Sequence, residues 1–161
     1  MEALIRPGPG DSNWVSRTNY PMTGIHPYDA HRMMFFVNRN YLQDSWHIER
    51  LLMRIDGFAS VNAGYAGGTI TTVPFTYTGD HLELNFSTSG AGEIRVELQD
   101  AEGNPLPGFS MDDCDSLIGD RIDGAVSWHG QKSVSRYIGK TVRLKFQMRD
   151  ADIYSFAFPA P

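Results

Sequence analysis

Aspartate is concentrated in the second half of this 161-residue chain, in stretches that are typical of loops. The residues concerned are Asp112, Asp113, Asp115, Asp120, Asp123, Asp150 and Asp152. Glycoside hydrolysis needs two carboxyl groups that face each other across a cleft, and such a cluster could supply them. Aspartate is also an ordinary turn residue, because its side chain bonds to the nearby backbone. The turn role is favoured, and no residue is assigned to catalysis.

Asp150 and Asp152 raise a second chemistry, because Ca²⁺ prefers carboxylate and carbonyl oxygens. They lie in "DADIYSF", which is similar to the region near the final strand where jelly-roll sugar-binding modules hold a structural calcium. The two residues are therefore candidate calcium ligands. The alternative is a tight hairpin turn in which aspartate serves the turn geometry. The spacing "DDCD" is not an EF-hand, which needs a glycine and a distal glutamate at fixed positions.

A group of aromatic residues could bind a sugar, since the CH face of a sugar ring stacks on a flat side chain beside a few polar groups. The candidate carbohydrate contacts are Tyr65, Trp128, His129, Trp46 and Trp14. The competing interpretation is that each ring lies in the core, with its polar tip bonded to a partner. Trp128 alternates with Val126, which favours the core. Tyr65, within "NAGYAGG", is the better candidate for an exposed platform.

Other catalytic chemistries find little support in the sequence. The histidines are scattered, and no HExxH or G-x-S-x-G motif occurs. The lone cysteine, Cys114, lies among aspartates that would raise its pKa, so we predict a buried thiol of structural use.

The elements that must position these residues are mostly strands. "MMFFV" (33–37) predicts a strand buried on both faces. Residues 48–55 fit either a helix or a strand, and the strand is favoured because β patterns follow. Residues 81–89 and 93–100 alternate and predict a hairpin that turns at "GAG". Residues 141–149 and 152–158 predict two final strands joined by a tight turn at "DAD".

The outer face of the predicted hairpin carries Glu93, Arg95, Glu97 and Gln99. We expect this face to be wet and charged, which protects against edge-to-edge aggregation and makes it a poor sugar platform. The pattern as a whole predicts an all-β protein. It would be an antiparallel, jelly-roll-like β-sandwich of about eight short strands, preceded by an irregular N-terminal segment.

Charge and composition exclude some partners. The net charge is −5 and no run of Lys or Arg occurs, so neither nucleic acid nor an anionic membrane surface is expected. No apolar run approaches the length of a membrane span. The first residues lack the pattern of a signal peptide, which leaves the localisation open.

Five phrases of the sequence occur in an order that resembles a known family. They are "DGFASVNAG", "GDHLELNFSTSGAGEIRVELQDAEGNPLPGF", "DDCDSLIGD", "VSWHG" and "GKTVRLKFQMRDADIYSFAF". Together they resemble the C-terminal β-sandwich of bacterial, planctomycete-type proteins described as glycoside hydrolases with a five-bladed β-propeller. The upstream residues are similar to the last propeller strands and their connection to the sandwich.

The resemblance implies a boundary between a connecting region, residues 1–55, and a sandwich domain, residues 56–161. It also implies a non-catalytic accessory module that binds polysaccharide or braces a propeller, since the catalytic blades of that family have no counterpart here. Its parent proteins would be exported. No cofactor is expected beyond the structural calcium. The alternative is a free-standing sandwich without a ligand that forms homo-oligomers through "MMFFV".

Overall fold

The computed structural model describes residues 4–160. Over that range the chain forms nine strands and two short 3₁₀ helices, Asp11–Trp14 and Ser135–Tyr137. The strands are β1 (Tyr20–Pro21), β2 (His26–Pro27), β3 (Arg32–Arg39), β4 (His47–Arg54), β5 (Val61–Ala63), β6 (Gly68–Thr71), β7 (Glu83–Asp100), β8 (Asp120–Ala125) and β9 (Val142–Ala157). All pairings between them are antiparallel, and the predicted all-β sandwich class is confirmed. Within residues 4–160 no helix is long and apolar enough to cross a membrane.

The chain divides into two compact units, of which the first ends at Phe58 and the second begins at Ala59. The sequence placed the boundary between residues 55 and 56. Each unit contains its own sheet, with β1–β4 in the first and β5–β9 in the second.

The sheet of the first unit is built around β3. β4 pairs along the whole of β3, and β1 and β2 pair with its two halves on the other edge. The strand prediction for residues 48–55 is therefore confirmed. Phe35 and Val37 are buried, whereas Met34 and Phe36 are half-buried on the opposite face, so β3 is not buried on both faces as predicted.

The sheet of the second unit is built on the ladder between β7 and β9. β8 lies beside the first half of β7, and β5 and β6 pair with successive parts of the free edge of β9. The strand order is β5-β9-β7-β8, with β6 also beside β9.

The predicted hairpin at "GAG" is wrong. Residues 83–100 form one continuous strand of 18 residues, and its two halves pair with β9 rather than with each other. The predicted turn at "DAD" is also wrong, because β9 continues through it for 16 residues. Local pattern could not distinguish a turn from an irregularity within a long strand, since both use the same residue types.

The two mispredicted turns face each other across the ladder. Between the pairs Thr88–Ala151 and Glu93–Arg149, residues 89–92 of β7 stand opposite the single residue Asp150. Asp150 has a φ of 45°, which aspartate tolerates better than most residues. A Cβ at Gly92 would overlap the carbonyl oxygen of Asp150, so a glycine is required at this point.

The core of the second unit lies on the inner face of this ladder. The alternating apolar positions of residues 84–98 and 142–148 are buried, as predicted: Leu84, Phe86, Ile94, Val96, Leu98, Val142, Leu144, Phe146 and Met148. The alternation predicted for residues 152–158, with Tyr154, Phe156 and Phe158 on the inner face, is wrong, because Ile153 is buried and Phe156 is 38% exposed. The segments between strands cover them with further buried side chains, including Tyr77, Phe109, Leu117, Trp128 and Tyr137. The inner face is thus filled by core side chains, so we look for a binding site on the outer face of the sheet or in the loops.

Candidate functional site

The loop aspartates Asp113 and Asp115 accept hydrogen bonds from nearby loop residues. Asp113 accepts hydrogen bonds from the amide and hydroxyl of Ser110 and from Nε2 of His129. Asp115 accepts from the Ser127 hydroxyl and the Gly130 amide. Bonds from Ser110 lower the pKa of Asp113, and the bond from Ser127 lowers the pKa of Asp115. A general acid needs a raised pKa, so these two carboxyls fit turn roles and not acid catalysis.

The two candidate calcium ligands lie at different points of the β9 ladder. Asp152 accepts from the hydroxyl of Ser60 at 2.6 Å and from the side-chain amide of Asn62 at 3.2 Å. Asp150 is the single residue of β9 opposite residues 89–92 of β7, and its amide donates to the carbonyl of Gly64. Among residues 4–160 no group of three or more His, Cys, Asp or Glu side chains is placed to hold a metal.

Trp128 is not an exposed platform. Its side chain is 2% exposed, its indole Nε1 donates to the carbonyl of Val96 at 2.9 Å, and its ring meets Phe109 edge-on. The core interpretation of this residue is correct, and it cannot stack on a sugar. His129 beside it is exposed and is paired with Asp113.

Cys114 is buried, as predicted. Burial, with a smaller contribution from Asp115, raises the pKa of its thiol to about 11. The thiol is therefore protonated at neutral pH and is a poor nucleophile.

The remaining aromatic candidates are exposed but belong to different units. Trp14 and Trp46 are 72% and 50% exposed in the first unit, in the first 3₁₀ helix and just before β4. Tyr65 is 73% exposed in the second unit, between β5 and β6. The candidates therefore do not form one cluster within a unit.

Tyr65 is held out on a tight turn. The amide of Gly67 donates to the carbonyl of Gly64 at 2.9 Å, and the Asp150 amide donates to the same carbonyl at 3.1 Å. Gly67 has a φ of 76° and lies so close to the carbonyl of Met148 that an added Cβ would approach it to 3.1 Å. The turn thus fixes the backbone of Tyr65 against β9 while its ring faces solvent.

Polar side chains fill the outer face of the sheet beside this turn. Strand register places Glu93 opposite Arg149, and it places Gln147 between Arg95 and Thr69. Directly opposed residues in antiparallel strands project from the same face, so these five side chains share one surface.

A hydrogen-bonded network joins β7, β9 and the loop before β8. Arg149 Nη2 donates to Glu93 Oε1 at 3.2 Å, and the Ser116 hydroxyl donates to Glu93 Oε2 at 2.9 Å. Arg95 Nε donates to the same hydroxyl at 3.0 Å. The network orients both guanidinium groups while their side chains stay 38% and 47% exposed.

The outer face of β7 is less exposed to solvent than the sequence indicated. Glu97 and Gln99 are each only 6% exposed. Glu97 accepts from the Met111 amide at 3.0 Å and from the Gln99 side-chain amide at 2.7 Å, because the loop after β7 folds over this end. The prediction of a uniformly exposed charged face is therefore wrong, and the accessible part is the end near Glu93.

A cleft of about 500 Å³ lies at that accessible end. Its walls are residues 66–69, which directly follow Tyr65, and residues of β7 and β9. The contributing strand residues are Glu93, Arg95, Gln147, Met148 and Arg149. The cleft contains hydrogen-bond donors and acceptors, and the exposed Tyr65 directly precedes its wall in the chain. Polar groups near an aromatic side chain suit a polar ligand with apolar CH faces.

Sequence reasoning found Tyr65 but missed the polar side of the cleft. It treated Glu93 and Arg95 as solubilising residues and did not single out Gln147 or Arg149. Alternation in residues 141–149 places Gln147 and Arg149 on the outer face. Only the long-range register between β7 and β9 places them beside Glu93 and Arg95, and no local pattern contains that information.

Comparisons with known proteins add no assignment. A scan against protein-family models, a search of curated proteins and a search of solved structures each found no match.

Proposed function

We propose that the second unit is a non-catalytic carbohydrate-binding module whose ligand lies in the cleft beside Tyr65. The observation that carries the proposal is a polar cleft of about 500 Å³ together with Tyr65, which is 73% exposed and directly precedes residues 66–69 of the cleft wall. Sugars present CH faces for stacking and hydroxyls for bonding; in the proposal Tyr65 takes the first and the polar residues of the cleft take the second.

The sequence resemblance to the C-terminal sandwich of five-bladed-propeller glycoside hydrolases supports the same function. An accessory module of such an enzyme either binds glycan or braces the propeller, and neither role needs a catalytic pair of its own. The lowered pKa values of Asp113 and Asp115 agree with a binding role, since neither carboxyl is kept protonated for acid catalysis. Membership of that enzyme family is part of the proposal.

The oligomeric alternative has less support. It requires the apolar strand "MMFFV" to contact a second chain, and because both edges of β3 are paired within the same chain, that contact would have to use the half-buried face with Met34 and Phe36. Strand-to-strand association at β3 would have to displace β4 or the shorter strands.

The test is isothermal titration of the full chain against a panel of soluble plant and algal polysaccharides. We expect saturable binding to at least one class, and Tyr65→Ala should weaken it about tenfold, which corresponds to the ~1.4 kcal/mol of one aromatic contact. Tyr20→Ala is the matched control, because Tyr20 is 62% exposed in the other unit.

Absence of binding to every polysaccharide, or equal binding by the wild type and Tyr65→Ala, would refute the proposed site. A reducing-sugar assay on the same mixtures should detect no new chain ends. Release of reducing ends would instead show that the chain is a hydrolase.

A further inference from the structure

The outer face of the β7–β9 ladder carries an excess of positive charge on a chain whose net charge is −5. Between residues 93–99 and 143–149 this face presents four cations, Arg95, Arg143, Lys145 and Arg149, against two anions, Glu93 and Glu97. Strand register brings these residues together although they are separate in the sequence, so no basic run marks them.

The cations at the two ends of this face differ in their hydrogen-bond and ion-pair partners. Arg143 donates to the carbonyls of Ala101 and Thr72, and Lys145 lies 3.9 Å from the buried Glu97. The polar contacts of Arg143 and Lys145 are therefore to groups of the protein itself. Arg95 and Arg149 line the cleft, and hydrogen bonds to Ser116 and Glu93 orient their guanidinium groups.

Each of the two cleft arginines keeps donors for a ligand. Arg95 bonds to protein through Nε, and within the described part of the chain its two terminal nitrogens have no hydrogen-bond partner. Arg149 bonds through one terminal nitrogen, Nη2. A guanidinium group with a vacant pair of N–H donors matches a carboxylate or sulfate in a bidentate geometry.

We infer that the glycan bound in this cleft is acidic, with a carboxylate or sulfate group held by Arg95 and Arg149. This inference rests on the proposed function. Glu93 lies between the two arginines and still has lone pairs that can accept from sugar hydroxyls. A ligand that offers both hydroxyl donors and an anionic group therefore matches the cleft. A nucleic acid is less favoured, because the chain has a net charge of −5 and no run of Lys or Arg that would follow a phosphate backbone.

The first experiment compares ligands that share a backbone and differ in charge. Polygalacturonate is titrated against highly methyl-esterified pectin, whose carboxyls are blocked, and dextran sulfate is titrated against neutral dextran. The carboxylate and sulfate arms identify which anionic group is preferred. We expect binding to the charged member of at least one pair and at least tenfold weaker binding to its neutral counterpart, since the neutral ligand cannot form the charge-assisted hydrogen bonds to the arginines.

The second experiment uses variants of the cleft. Arg95→Gln and Arg149→Gln should each weaken binding of the acidic glycan about tenfold or more, and Arg149→Lys should restore only part of it because lysine lacks the fork. Lys132→Gln is the charge-matched control, since Lys132 is exposed and lines a different cleft. Unchanged urea midpoints would show that the variants fold.

The outcomes separate the inference from the function on which it rests. Equal binding of charged and neutral glycans, with Tyr65→Ala still weakened, would overturn the acidic ligand and keep the binding module. Equal losses for Lys132→Gln and Arg149→Gln, or equally tight binding of a DNA duplex, would show ion exchange and overturn the inference. Failure of every glycan to bind would overturn both.

Discussion

At the residue scale, Trp128 and Trp14 lie in environments that predict mutational effects of very different size. Trp128 is 2% exposed and Trp14 is 72% exposed. Trp128→Ala would remove the packing against Phe109 and the bond to the Val96 carbonyl, and we expect it to lower the free energy of unfolding by about 3–5 kcal/mol. Trp14→Ala should change it by less than about 0.5 kcal/mol. Urea denaturation followed by circular dichroism measures both, and similar losses in the two variants would contradict the burial of Trp128.

His81 provides a pH-dependent contribution at the same scale. Its Nδ1 lies 2.6 Å from Asp80 and its Nε2 lies 3.1 Å from Glu83. The bond to Asp80, followed by that to Glu83, raises the pKa of His81 above 6.5. A raised folded-state pKa gives stability that is complete below about pH 6.5 and is lost as the pH rises through the folded value. The wild type should therefore exceed His81→Gln in stability at pH 5.5, and the difference should shrink by pH 8.5. Urea midpoints at the two pH values test this, and a constant difference would refute it.

At the element scale, the irregularity that β7 and β9 share lies directly before Glu93 and directly after Arg149, two residues that line the cleft. Gly92 meets the carbonyl of Asp150, whereas an added Cβ at Gly90 would meet nothing within 4 Å. We expect Gly92→Ala to cost about 1–3 kcal/mol of unfolding free energy through overpacking, and Gly90→Ala to change it by less than about 0.5 kcal/mol. Thermal melting of the two variants gives the comparison. A neutral Gly92→Ala would mean that the two strands do not approach each other at this point.

The same two strands show what local pattern can predict. Alternation correctly assigned the inward residues of β7, such as Ile94 and Val96, because side-chain direction depends only on neighbouring residues. It failed at "GAG" and "DAD", where the choice between a turn and an irregular ladder depends on the partner strand. Tyr65 could be recognised from its glycine-rich surroundings. The pairing of Glu93 with Arg149 joins residues 56 positions apart, and it could not be recognised from the local sequence.

At the scale of the whole molecule, the two units differ in how much core they contain. The buried hydrophobic residues of the described first unit are Phe35 and Val37, whereas the second unit has a continuous buried cluster from Ala63 to Ile153. Since burial of apolar surface is the main favourable term in folding, we expect residues 59–161 to fold alone. They should give a dispersed ¹H–¹⁵N spectrum and a cooperative urea transition. Residues 1–58 are near the size at which a single small core is marginal, and we expect no cooperative transition from them. A random-coil spectrum for residues 59–161 would show that their core is not sufficient for independent folding.

The same fragment also tests where the binding site lies. Retained glycan binding by residues 59–161 would place the cleft next to Tyr65 entirely within the second unit.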